Sequence, residues 1–410
     1  MTMDPVESRE TDLRERLFRY PSDRYPVQHA VARFHLGVVL TDAGRYDEAE
    51  EALAVAARLF DPHILPTEHG KAMNALGAAL RAQGRLDDAT VAFQEAVRRF
   101  EAAEAHLELG AALFNLALTC NDAEGPERAL GSIERARRLL DDKVVPGQAA
   151  AAAREHGAML FRQGDLEGAC EALEDAVALS ERTSDAASLG AAQNVLGLVY
   201  LGQGRTARAV DALSAAAAAG PRTIRPQAYA LAKANLALAY ERVGDAPRAR
   251  LAARQALAVD EAAEPVVAQA AAVLQREGSP VGDLARLFGD GTSAAHAAAV
   301  REELTRWLAE GSDVARSELR AWAGAEADRS DGTEMAEALL GGFLEQPPDE
   351  MERLIRALLE ATAALQDATA QRFRSQVSRA MVRFHVPQWI RLKDTFNRIA
   401  ADLGTDASWG

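Results

Sequence analysis

Eight histidines and two cysteines are the side chains best suited to bind a metal or act as a nucleophile, and their spacing argues against both uses. His29 and His35 are six residues apart, as are His63 and His69, so neither pair falls on one helical face as i, i+4 zinc ligands would. His29 and His69 stand 40 residues apart, which suits a recurrent packing or capping role better than a metal site. His156, Cys120 and Cys170 form another set, expected near one another where two units of a repeat meet. They read as a buried histidine and two inert core thiols, because buried cysteine behaves as a small hydrophobe. Gly70-Lys71 lacks the upstream glycine and the following Ser or Thr of a phosphate-binding loop, and no G-x-G-x-x-G, G-x-S-x-G or H-E-x-x-H is present. A non-catalytic chain without metal or cofactor is therefore expected, and an enzyme, the third reading, would need a site in the C-terminal third.

Charge and composition remove further classes. With 61 acidic against 46 basic residues the net charge is −15, which opposes a chain-wide footprint for nucleic acid or anionic membrane. Apolar residues make up 48% but aromatics only 5%, so burial relies on Ala and Leu, both strong helix formers. Two cysteines fit a reducing compartment. MTMDPVESRE lacks a basic region followed by an apolar one, and no run reaches the roughly 18 apolar residues of a membrane span. Cytoplasmic localisation without a membrane span is the expectation.

The elements that would position any binding residue come from a repeat. Leu36-Gly37 recurs as Leu76-Gly77, Leu116-Ala117, His156-Gly157, Leu196-Gly197 and Leu236-Ala237, at an unbroken interval of 40 residues. Thirteen residues after each anchor stands Ala49, Ala89, Ala129, Ala169, Ala209 or Ala249, and seven further on Ala56, Ala96, Ala136, Ala176, Ala216 or Ala256. Conserving so small a residue through twelve positions implies helices in close approach. Eight residues after the anchor, Gly44, Gly84, Gly164, Gly204 and Gly244 end a first helix in a left-handed cap, Glu124 being the exception. Ten residues before it, Pro26, Pro66, Pro146 and Pro226 open that helix, with His106 and Ala186 in the other two units. Each unit thus reads as helix A, glycine turn, helix B.

The run Leu76, Gly77, Leu80, Gly84, Ala89, Phe93, Ala96 resembles the tetratricopeptide repeat family, and the long period is similar to its kinesin-light-chain-like branch. The resemblance covers about residues 26–260. It implies an all-α, right-handed superhelical solenoid of six helix pairs. Gly244, Ala271, Leu274 and Gly278 fit a degenerate seventh pair, and a C-terminal helical region follows. The expected domains are 1–25, an N-terminal helical extension; 26–260, six units; 261–290, a capping repeat; and 291–410, a C-terminal helical domain. In this family helix A lines a concave groove, and the residues two and one before the anchor, and two and five after it, point inward. That placement implies a peptide-binding set of Phe34, Lys71, Asn74, Arg81, Phe114, Asn115, Arg154, Phe161, Asn194 and Asn235, with Arg162 and Arg242 nearby. Amides offer both a donor and an acceptor to an extended backbone. The arginines and phenylalanines fit an acidic or carboxylate-bearing protein segment with apolar anchors. The competing explanation for the asparagines is hydrogen bonding between helices. Lys71 and Asn115 occupy two positions of the family's carboxylate clamp, but the others are not matched, so chaperone tails are not implied.

The last third stays helical without the repeat. Helices are expected over about 293–310, 312–325, 333–345, 348–385 and 388–402, and a short one over 7–18 before the array. Between 371 and 398, Arg372, Arg374, Arg379, Arg383, Arg391, Lys393 and Arg398 oppose Asp394 alone. On one helix Arg372, Arg379 and Arg383 would share one face, and Phe373, Val377 and Phe384 another. Three expectations attach to this stretch: an apolar face packed on preceding helices, with Trp389 and Phe396 in the core; self-association through the C-terminal helices; and, as the second functional reading, a regulatory protein binding nucleic acid or an anionic surface through Arg372, Arg379, Arg383, Arg391 and Lys393.

Overall fold

Alanine-rich amphipathic segments bury little surface alone, so each must find a partner within a few residues of its turn. The computed structural model describes residues 5–277, 293–327, 333–405 and 408–409, and among these it contains 20 helices and no strand. The chain divides into two compact units, Met1–Pro221 and Arg222–Gly410.

In the first unit α1 (Pro5–Arg19) precedes five A/B pairs. These are α2 (Pro26–Asp42) with α3 (Tyr46–Leu59), α4 (Pro66–Ala82) with α5 (Leu86–Ala102), α6 (His106–Glu124) with α7 (Pro126–Leu139), α8 (Pro146–Gln163) with α9 (Leu166–Thr183), and α10 (Ala186–Gly202) with α11 (Thr206–Ala219). The repeated alanines explain themselves: Ala49, Ala89, Ala129, Ala169 and Ala209 are wholly buried between helices. The anchor glycines are equally constrained, since a Cβ on Gly77 would lie 2.7 Å from the Phe93 ring and one on Gly157 2.6 Å from Leu173. Successive A helices touch one another, whereas successive B helices pack less closely, which puts the A helices on the inner side of the curve in this unit.

The irregular positions have local reasons. Helix α6 runs through Glu124, one or two residues further past its anchor than the other A helices of this unit, and Gly125 takes the positive φ of +95°. Where proline opens helix A, as at Pro66 and Pro146, the preceding B helix has 14 residues, and Asp61 or Asp141 accepts the N–H of His63 or Lys143 in a tight turn, both at 2.8 Å. Where His106 or Ala186 replaces proline, the B helix reaches 17 or 18 residues. It then reverses through Glu104 or Ser184 in the left-handed region, at φ +53° and +54°.

The second unit holds the sixth pair, α12 (Pro226–Val243) and α13 (Ala246–Leu257), against which α14 (Glu264–Glu277) packs. The expected end of a seventh pair, Gly278 and the residues to 290, lies outside the described residues. Six helices follow: α15 (Ser293–Glu310), α16 (Ser312–Glu326), α17 (Thr333–Leu344), α18 (Pro348–Ala363), α19 (Asp367–Met381) and α20 (Val386–Asp402). The single helix expected over 348–385 is broken at Leu365 and Gln366. Gln366 takes ψ 144°, and the turn returns α19 over α16, bringing Phe373 edge-on to Trp322 with ring centroids 5.2 Å apart. A straight helix would carry Phe373 away from the core that Trp307, Trp322, Phe343 and Phe396 fill. Leu251 of α13 joins that core, and a buried ionic cluster lies beside it. There Glu303 accepts from Arg254 at 2.8 Å and from Arg306 at 2.7 Å, and Glu318 accepts from Arg306 at 2.9 Å.

Candidate binding face of the A helices

Residues one or two places before the anchor lie on a flank of helix A that is mostly half-buried through the first four repeats and closes over at Asn194, Ala234 and Asn235. In the first unit this flank is built from contacts between adjacent repeats, about one period apart in sequence. Asn115 of α6 donates through Nδ2 to Asn74 Oδ1 of α4 at 3.1 Å. Beside them Lys71 faces Glu108 at 3.6 Å and Arg81 pairs with Asp122 at 2.6 Å. Arg162 of α8 donates to Asn121 of α6 at 2.6 Å, and Arg154 pairs with its neighbour Glu155 at 2.8 Å. Glu108 and Asp122 escaped the reading of the sequence, and together with Glu155, which stands one place before its anchor, they offset the positive lining locally. Their signal was available: Lys71 to Glu108 and Arg81 to Asp122 are separated by 37 and 41 residues, the spacing of neighbouring A helices.

The remaining site residues are distributed unevenly. Phe34, Phe114 and Phe161 are half-buried, and Phe34 stacks edge-on against the His35 ring at 5.2 Å. Asn194 is only 9% exposed and engaged by neighbouring groups. Asn235 belongs to the second unit, is buried, and accepts from Gln269 of α14 at 2.9 Å. The asparagines thus contribute to bonding between helices at Asn74, Asn115 and Asn235, the explanation set against ligand binding above. In the half-buried pair of Asn74 and Asn115, Asn74 Nδ2 and Asn115 Oδ1 make no hydrogen bond among the described residues.

His156, Cys120 and Cys170 each have their own neighbours and do not form one cluster. Arg137 Nη1 donates to His156 Nδ1 at 2.7 Å, which places the imidazole proton on Nε2. Nε2 is buried without a hydrogen-bond partner, and the Glu134 carboxylate is 3.9 Å from it. Burial, then the charge of Arg137, hold the pKa of His156 below its ordinary value, against weaker opposite pulls from Glu134 and Asp165. Tyr200 donates to Glu174 at 2.8 Å and Cys170 to the same oxygen at 3.4 Å. Burial pushes the Tyr200 phenol up to about 12 and raises both thiols. Raised thiols are the opposite of activated nucleophiles. His69 Nδ1 faces the carbonyls of Ala57 and Phe60, at 3.0 and 3.1 Å, and His29 Nδ1 that of Tyr20 at 2.9 Å, so both cap chain ends as their shared position suggested. Among the described residues no group of three metal-ligating side chains occurs, and no helix is long and apolar enough to cross a membrane.

The basic stretch is divided between two helices. Phe373, Val377 and Phe396 are buried, while Phe384 and Trp389 are partly so. Because α19 ends at Met381, Arg383 lies beyond the helix of Arg372 and Arg379 and pairs with Glu337 at 3.0 Å. Arg379 bonds back to the Ser375 carbonyl, Arg391 is exposed, and Lys393 lies 5.0 Å over the Trp389 ring.

Residues 68–142 and 148–220 match the sequence profile of the tetratricopeptide repeat family. The array belongs to the tetratricopeptide repeat superfamily. Among solved structures it is similar to the APC/C hetero-tetramer Cut9–Hcn1, at 17% identity over 67% of this chain and 46% of that one, with a TM-score of 0.51. BtubC from P. vanneervenii is 17% identical over 53% of this chain and 91% of its own, with a TM-score of 0.46. A Podosopora anserina putative kinesin light chain with nearly identical TPR-like repeats is 21% identical over 47% and 95%, with a TM-score of 0.42. No curated protein matches the sequence. Tetratricopeptide solenoids present extended concave surfaces, the architecture of protein-interaction scaffolds.

Proposed function

We propose that this protein is a non-catalytic, cytoplasmic scaffold that holds an extended segment of a partner protein along its A helices. The observation that carries this reading is the polar ladder between adjacent A helices: Asn74 with Asn115, Lys71 with Glu108, and Arg81 with Asp122. The amide pair suits a peptide backbone. The two ion pairs are solvent-accessible, and such pairs contribute only about 0–1 kcal/mol, so a ligand carboxylate can displace Glu108 or Asp122 at little cost. Half-buried Phe34, Phe114 and Phe161 supply apolar contacts for bulky side chains. The preferred ligand is an acidic segment with aromatic or aliphatic anchors.

The test is affinity capture from native lysate with wild type and with an Asn74→Ala, Arg81→Ala, Asn115→Ala variant. Loss of a specific partner at unchanged helicity is expected. Capture of the same partners by the variant would remove the A face from consideration.

A further inference from the structure

The C-terminal helices carry a cavity and an exposed apolar patch side by side. The cavity, about 340 Å³, opens between α15, α17 and the turn joining α19 to α20, over a floor of Ala338, Gly341, Gly342 and Phe384. Two consecutive glycines inside α17 lower its helix propensity and call for a reason. Gly342 has one in packing, since a Cβ there would lie 2.7 Å from Leu304 and 2.9 Å from Val300. Gly341 has none: the nearest atom to its Cβ would be in the Phe384 ring, at an ordinary 3.9 Å. What a bare position 341 achieves is an open cavity. Glu334, Glu337 and Glu345 stand around it. Arg383 and Arg301 offset the last two, at 3.0 and 2.9 Å, and Glu334 has no ion-pair partner among the described residues.

The patch begins two residues from Phe384. Val382 is 64% exposed, Val386 65% and Ile390 44%, and the last two share one face of α20. Arg379 and Arg391 flank it, exposed, and neither meets a carboxylate among the described residues.

We propose that patch and cavity bind each other across a two-fold axis, with Val386 and Ile390 of one copy entering the cavity of a second and receiving the same contact in return. An isologous interface needs a surface complementary to itself, and here an apolar knob with a basic margin adjoins a hole floored by small residues and Phe384, whose charged rim is left net negative by Glu334. Charge selects the occupant. An acidic partner or an anionic membrane would suit Arg379 and Arg391 but be repelled at Glu334, whereas a second copy satisfies both margins. The inference is independent of any ligand on the A helices.

The experiment is light scattering or sedimentation of the full chain from about 1 to about 100 µM. Wild type is expected to pass from monomer to dimer. Gly341→Leu fills the hole while raising helix propensity, and Val386→Asp charges the knob; each is expected to weaken dimerisation at least tenfold at unchanged circular dichroism. Each variant retains the half that the other lacks. An equimolar mixture should therefore recover a heterodimer through one intact contact, more weakly than wild type. A wild type that stays monomeric throughout, a dimer that survives both substitutions, or a monomer that instead sediments with phosphatidylserine vesicles would overturn the proposal.

Discussion

Restoring the repeat's own residues at the junction of the third and fourth units should stabilise it and remove part of its pH dependence. Elsewhere the equivalent positions hold an anchor leucine and a small apolar residue of the preceding B helix, such as Leu116 and Val97, which belong to one core cluster. At this junction alone the two positions hold His156 and Arg137, bonded at 2.7 Å. His156→Leu frees Arg137 from an acceptor, but Arg137 keeps Asp175 at 2.9 Å, so the loss is small against the roughly 1.5–3 kcal/mol that a newly buried leucine contributes. Arg137→Val alone leaves Nδ1 of His156 stranded together with Nε2, which costs about 1–3 kcal/mol. Introduced into the His156→Leu background, the same change should cost nothing, giving a coupling of at least about 1 kcal/mol in a double-mutant cycle. The pH effect has a definite sign. Because the folded pKa of His156 lies below its ordinary value of about 6.5, the unfolded chain binds the extra proton first. The stability from a neutral His156 is complete above that value and is lost as pH falls through the folded pKa. Urea unfolding of wild type, both single variants and the double variant, followed by circular dichroism at pH 8 and near pH 5.5, reads both effects. Equal costs of Arg137→Val in the two backgrounds, or identical pH dependence in wild type and double variant, would refute the reasoning.

Gly77→Ala should destabilise the array by about 1–3 kcal/mol of overpacking against Phe93, less about 1 kcal/mol recovered in helix propensity. In a Phe93→Ile background the loss should shrink, because the third unit already carries Ala117 opposite Ile133; thermal unfolding measures it. Arg306→Ala strips both Glu303 and Glu318 of a partner in a buried cluster and should cost about 3–5 kcal/mol. All four tryptophans lie between 307 and 409, so intrinsic fluorescence reports that loss from the second unit alone. Asn397 bonds the backbone of Trp409 twice, at 2.9 and 3.0 Å, and Asn397→Ala should expose the indole and shift its emission to the red.

Most of the repeat was legible because its signals are local. Glycine at the end of helix A, proline at its start and alanine at the crossing act through backbone conformation and steric size, which do not depend on distant residues. The chosen binding residues were legible only as positions. Which side chain meets Asn74, Lys71 or Arg81 depends on a neighbouring helix about 40 residues away, so Asn115, Glu108 and Asp122 became their partners only on packing. The same holds for the break at Leu365. Its apolar spacing continues an uninterrupted helix, and only the gain from placing Phe373 against Trp322 favours the turn.

By itself the sequence determined an all-helical repeat, its period, its pair boundaries through most of the array and the absence of any familiar catalytic motif, because each of these follows from residue type at fixed spacing. Tertiary structure alone decided how charge is matched on the A helices, that His156 is held by Arg137, that two units form, and that a cavity and an apolar patch adjoin beside Phe384. These are properties of pairs of surfaces, and surfaces exist only once helices remote in sequence have packed.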